Sequence, residues 1–139
     1  MSTGRFRVKV LALDYGSART GVAVSDPTGT IATPVGVVER AATDTGLAQL
    51  AALVQTEEVE RVVVGLPLTL RGERGEQADE TERFVTALRA TLEVPVDTFD
   101  ERFTTDLAEQ TSNGSGSIDA VAAAHLLSSY LEWSSNQSP

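Results

Sequence analysis

A mixed β-sheet covered by helices on both faces is the α/β fold class predicted by this 139-residue sequence, and three observations predict it. The first forty residues alternate short apolar runs with turn residues, as an antiparallel meander does. From Asp44 onward, amphipathic helical stretches alternate with brief apolar runs, the pattern of helix-linked parallel strands. The composition, 41% apolar and 22% charged, is that of an ordinary globular chain with one core, so residues 1–139 read as one domain.

Taken in order, Arg7 to Asp14 reads as a central strand, with Val8, Val10, Leu11, Ala12 and Leu13 buried on both faces. Tyr15 to Thr20 is a turn around Gly16, Gly21 to Ser25 a second strand, and Pro27 to Gly29 the next turn. Thr30 to Glu39 is a third strand, interrupted or edge-like because Pro34 cannot donate to a ladder. Asp44 is a candidate N-cap for a helix through Leu47, Leu50, Ala51 and Val54 that ends near Glu57. Arg61 to Gly65 is a short buried parallel strand, and Leu66 to Gly75 a loop. Glu76 to Leu92 is a polar helix turning Phe84, Val85 and Leu88 inward. Val94 to Phe99 is the last strand and Thr104 to Gln110 a short helix. A flexible Ser112–Ser117 loop leads to a final helix from Ile118 to about Trp133, and the tail from about residue 134 reads as disordered.

The same composition excludes whole classes of chemistry. Without cysteine there is no disulfide, thiolate nucleophile, iron–sulfur cluster or cysteine zinc site. With one histidine, His125, no multi-histidine metal site can form in one chain, so any metal is a hard cation held by oxygen. The net charge of −9 argues against a general nucleic-acid coat protein. That charge is uneven, because residues 1–40 carry five basic and three acidic groups and the remainder six and seventeen. No run approaches a membrane span and no export signal precedes Asp14, so a cytoplasmic protein is expected. A multidomain kinase or dehydrogenase does not fit in 139 residues.

Three carboxylates stand out. Asp14 closes the first strand before Gly16, either stabilising its own turn or offering a carboxylate at the rim of the sheet. Such an Asp-x-Gly serves metal-dependent phosphodiester cleavage or phosphate binding in kinase-like folds. Asp100 and Glu101 end the last strand; if pairing continues that far, their side chains point to opposite faces and one of them joins Asp14. Glu101 is the choice for the site, with Asp100 its competitor. Asp119 opens the final helix, where the helix dipole alone could account for it, or where it faces Asp14. Ala122 and Ala123 are small enough to let that helix approach the sheet. Together Asp14, Glu101 and Asp119 could hold two Mg²⁺ or Mn²⁺ ions, one to activate water and one to stabilise the leaving oxygen of a phosphodiester. His125, about 240° around the helix from Asp119, reads as structural. Arg19, and Arg71 with Arg74, are candidate phosphate contacts or solvated surface charges. Trp133 could cover the end of its helix or stack on a base, and packing is the preferred reading.

Four blocks in order resemble one family. Leu11 to Asp26 (LALDYGSARTGVAVSD), Val62 to Gly72 (VVVGLPLTLRG), Phe99 to Glu109 (FDERFTTDLAE) and Ile118 to Glu132 (IDAVAAAHLLSSYLE) are similar to the YqgF/RuvX family of Holliday-junction-resolvase-like proteins. The resemblance implies an RNase H-like sheet, a bacterial cytoplasmic protein, and a divalent-metal nuclease that processes the 5′ end of pre-16S ribosomal RNA. By motif position it assigns Asp14, Glu101 and Asp119 to the metal site, and Arg19 and Arg102 to family arginines that contact substrate or structure the site. One departure stands out. Where the family carries a basic loop before the closing helix, Gln110 to Ser117 has no positive charge. That predicts weaker nucleic-acid binding with a flatter salt dependence, and a ribosome-assembly partner or homodimer to supply the missing charge. The alternatives are a Holliday-junction DNA nuclease, a non-catalytic RNA- or ribosome-binding module, and an actin-like ATPase, which would need a second domain.

Overall fold

The computed structural model describes residues 8–69, 71–104 and 118–136. Strands β1 (Val10–Asp14), β2 (Arg19–Ser25) and β3 (Ala32–Glu39) are followed by helix α1 (Asp44–Thr56), strand β4 (Arg61–Leu66), helix α2 (Glu76–Thr91) and strand β5 (Val96–Asp100). A 3₁₀ turn (Glu101–Phe103) follows β5, and helix α3 (Ile118–Asn136) closes the chain. The five strands form one sheet in the order β3-β2-β1-β4-β5, antiparallel from β1 through β3 and parallel from β1 through β5. The expected meander and helix-linked half are therefore both present. Because β1, β4 and β5 run the same way, Asp14, Gly65 and Asp100 all lie towards one rim.

The period of two along each strand divides the core in half. Leu11, Leu13, Val22, Val62 and Val64 face α1 and α2, meeting Leu50, Val54, Phe84, Val85 and Leu88. Val10, Ala12, Ala23, Val63 and Phe99 face α3, meeting Ala123, Ala124, Leu126, Leu127 and Tyr130. The main concession to close packing under α3 is a glycine in β2. A Cβ on Gly21 would stand 1.8 Å from the Asp119 carbonyl oxygen, so any other residue would push the helix away. The sequence assigns this approach to Ala122 and Ala123; Ala123 is indeed buried against the sheet, whereas Ala122 is only half-buried.

Several boundaries differ for identifiable reasons. Thr43, not Asp44, caps α1: its hydroxyl accepts from Gly46 N at 3.1 Å, and Asp44 sits in the first turn. Strand β5 begins at Val96 rather than Val94; Pro95 has no N–H to give the ladder, though its carbonyl accepts from Val62 N at 2.9 Å. Strand β3 is an edge strand, as Pro34 requires, with a register shift opposite Val22 and Ala23. Helix α3 runs through Ser134 and Ser135 to Asn136, where the sequence predicts a tail, and the Ser135 hydroxyl donates to the Glu132 carbonyl at 3.1 Å. Thr104 follows the 3₁₀ turn in extended conformation, and the rest of the expected Thr104–Gln110 helix lies outside the described residues, as does the Ser112–Ser117 loop. Among the described residues no helix is long and apolar enough to cross a membrane.

Candidate carboxylate site at the strand rim

Asp14 ends the apolar run of β1 and is paired in register with Gly21 of β2. Since Gly21 also carries the main chain of Asp119, one glycine places the start of α3 beside the first carboxylate. Glu101 arrives from the other side. Asp100 ends β5, and its Oδ1 accepts from Arg102 N at 2.9 Å, turning the chain into the 3₁₀ helix. Glu101 therefore leaves the strand alternation and lies over Gly65 of β4, where a Cβ would meet its Oε2 at 2.6 Å.

Glu101 and Asp14 are hydrogen-bonded through their carboxyl groups. Burial, the Asp14 charge and this hydrogen bond push Glu101 up to about 7, with Asp100 adding to the effect. Asp14 is also raised, first by burial and then by the Asp119 charge, while the hydrogen bond from Glu101 opposes the rise. The two therefore behave as a coupled pair in which Glu101 holds the shared proton and donates to Asp14.

Asp119 is turned to a different partner. Its Oδ2 accepts from Arg19 Nε at 2.9 Å in a half-exposed ion pair. Such a pair contributes at most about 1 kcal/mol and is easily exchanged. Asp100 is occupied as well: the Arg102 guanidinium clasps both its oxygens, with Nη2 at 2.6 Å from Oδ2, and this holds its carboxyl below the usual range. Of the two competing acids it is thus Glu101 that meets Asp14. The same guanidinium lies against Gly72, whose φ of 82° favours glycine and whose notional Cβ would stand a tight 3.2 Å from Arg102 Nη1. Arg102 in this way docks the loop after β4 at the rim, and Arg71 stands exposed beside that contact. Arg74 is paired with Glu82 on α2. His125 is half-buried along α3.

Gly21 and Gly65 were not singled out from the sequence, although a lone glycine inside an apolar strand is a signal of close approach. Tyr15 was also missed. It stacks on Phe84 with ring centroids 4.4 Å apart and donates its hydroxyl to Glu80 at 3.1 Å, pinning the turn after Asp14 to α2.

Among the described residues no three acidic or imidazole groups form a ready-made cation cage. The donor chemistry nonetheless fits a hard divalent ion. Asp14 and Glu101 are crowded enough to retain a proton between them, and Asp119 is withheld only by a half-exposed arginine.

Residues 8–133 match the family RuvX, described as Holliday junction resolvase. A Chloroflexus aurantiacus protein named "Putative pre-16S rRNA nuclease" is 45% identical over 131 residues, covering 88% of this chain and 86% of its own. Proteins of the same name from Chloroflexus aggregans (46% over 131 residues, 88% and 92% covered) and Syntrophomonas wolfei (36% over 133 residues, 90% and 94% covered) are similar throughout. Among solved structures, T. thermophilus RuvC in complex with a Holliday junction substrate matches with a TM-score of 0.65 at 16% identity, over 94% of this chain and 98% of that one. The fowlpox virus Holliday junction resolvase matches with a TM-score of 0.51 at 13% identity, over 90% and 99%. The RNase H-like sheet implied by the sequence blocks is the fold observed.

Proposed function

The chain belongs to the RuvX family, and from that premise we propose that it is a divalent-metal-dependent endonuclease that hydrolyses phosphodiester bonds in structured RNA, at the 5′ end of the 16S ribosomal RNA precursor. The observation that carries the reading is the Asp14–Glu101 pair at the strand rim, with Asp119 on the adjoining helix start. Asp14, Glu101 and Asp119 would hold Mg²⁺ or Mn²⁺, two ions in all. When bound, such cations supply the charge that makes water a nucleophile at neutral pH and neutralises the departing oxygen.

The remaining work falls to side chains of this chain. Arg19, mostly exposed, releases Asp119 and turns to a substrate phosphate. Arg102, tied to Asp100, keeps the loop after β4 at the rim, so that exposed Arg71 meets the backbone on the far side of the carboxylates. The acids from Glu73 to Glu82 repel a polyanion and turn the strand away from α2. Because Gln110 to Ser117 carries no basic residue, a ribosome-assembly partner or a second copy of the chain supplies the missing positive charge.

The test is cleavage of labelled pre-16S 5′-leader RNA and of a four-way DNA junction side by side, at low salt with Mg²⁺ or Mn²⁺, against EDTA and Asp14→Asn. Metal-dependent cutting of the leader that drops by about a thousandfold in Asp14→Asn is expected. Leader cleavage at wild-type rate by Asp14→Asn would refute the site. Paired symmetric cuts in the junction alone would move the substrate to DNA, and no cutting of either would leave a binding module.

A further inference from the structure

Four of the seven aromatic residues gather in one place, on the α3 face at the β5 edge of the sheet. Phe99 is their hub. Its ring centroid lies 5.6 Å from Tyr130, 5.8 Å from Trp133 and 6.1 Å from Phe103, and Tyr130 and Trp133 are 6.0 Å apart. The cluster has an inner and an outer layer: Phe99 and Tyr130 are buried, whereas Phe103 is 60% exposed and Trp133 45% exposed. Isolated exposed apolar residues are common and need no explanation. Here two large rings lean on the same buried ring, and one of them shares its 3₁₀ turn with Glu101 and Arg102.

From this placement we propose that Phe103 and Trp133 form a stacking platform for unpaired nucleobases beside the carboxylates, so that the enzyme selects substrate whose bases next to the scissile phosphate are single-stranded. The inference rests on the nuclease reading above and specifies its substrate. Continuity with the candidate site favours a nucleobase as occupant: Phe103 is two residues from Glu101, and Arg102 between them places a guanidinium in the same turn. Charge favours it too. On a chain of net charge −9, with Arg19, Arg61, Arg74 and Arg102 each engaged by a carboxylate, backbone electrostatics give a weak hold on a polyanion. Stacking on an aromatic face needs no net charge and tolerates any base.

Trp133 is the sole tryptophan, so its fluorescence reports directly on the platform. The full-length protein is titrated in EDTA, without turnover, with a short single-stranded RNA, with the same oligomer carrying abasic ribose at its central positions, and with a fully paired hairpin. Saturable quenching by the single strand is expected, with little change for the abasic oligomer or the hairpin. Phe103→Ala weakens single-strand binding by about tenfold, and Phe103→Tyr, which keeps the ring, restores it; matched melting curves exclude loss of fold. Equal affinity for the abasic oligomer, or unchanged binding by Phe103→Ala, overturns the proposal. So does a wild-type dimer that Phe103→Ala dissociates without any base-dependent quenching, which makes the patch a protein contact. Leader cleavage run in parallel separates the two readings. Cutting without base-dependent quenching rejects the platform alone, whereas quenching without cutting supports the platform and rejects the nuclease.

Discussion

The sheet has one face built from bulk and one built from proximity. Against α1 and α2 it presents branched side chains to Leu50, Phe84 and Leu88, and even the aromatic pair Tyr15–Phe84 serves mainly to tie a turn to a helix. Against α3 it presents Ala12, Ala23 and the bare backbone of Gly21 to a helix lined with alanine. All three candidate carboxylates and the half-exposed aromatic cluster belong to this second side. Bulky packing separates backbones, whereas small residues bring a helix start near the end of a strand. Acids from β1, the β5 rim and α3 can therefore meet on the second face, at the expense of apolar area buried there.

That contrast predicts where substitutions hurt and how. The largest stability loss is expected on the bulky face: Phe84→Ala removes a buried ring and the partner of Tyr15, and should lower unfolding free energy by about 3–5 kcal/mol. Urea denaturation measures it, and a loss under about 1 kcal/mol would erase the distinction between the faces. Next comes Gly21→Ala, whose Cβ collides with helix backbone that cannot rotate aside. A loss of about 1–3 kcal/mol is expected, together with loss of RNA cleavage, because α3 and Asp119 must shift.

Gly65→Ala sharpens the comparison. Its Cβ meets the Glu101 side chain from Cγ (2.9 Å) to Oε2 (2.6 Å) and no backbone atom among its nearest neighbours, so the side chain as a whole must swing away. Stability should change by less than about 1 kcal/mol while cleavage collapses. Denaturation and turnover measured on one preparation check this; parallel losses in both would show that Gly65 is a packing residue and not a cradle. The smallest effect lies outside both faces. Asp26 accepts from Ile31 N, Thr28 Oγ1 and Thr30 N, and these bonds lower its pKa to about 2. Its folded value is below the unfolded one, so it contributes stability above about pH 4 that disappears as pH falls towards 2. Asp26→Asn should therefore differ from wild type at neutral pH and converge with it in acid. A difference that stays constant from pH 6 to pH 2 would contradict this assignment.

What could be read from the residues in advance follows the range of the interactions involved. Strand β4 was legible because Val62, Val63 and Val64 must all be buried, and Asp14 because a carboxylate ends an apolar run. Of Asp100 and Glu101, it is Glu101 that lies against Asp14, and strand alternation is not the reason. The Asp100 side chain caps a turn, and that turn takes Glu101 out of the alternation. Thr43 displaced Asp44 as a cap because only the geometry of the entering chain decides which of two capable neighbours reaches the free N–H.

Periodicity, proline and chain punctuation act within a few residues, so they were enough for the α/β class, for the order of the five strands and three long helices, and for an interrupted or edge-like β3, and they made the three acids candidates. Which acids touch is set by contacts made across the fold. Gly21 meeting Asp119, Gly65 cradling Glu101, Arg19 holding Asp119 and Phe103 joining Trp133 over Phe99 are mostly contacts between segments far apart in the chain. Their distances depend on how closely helix and sheet backbones approach, and local sequence pattern does not encode that.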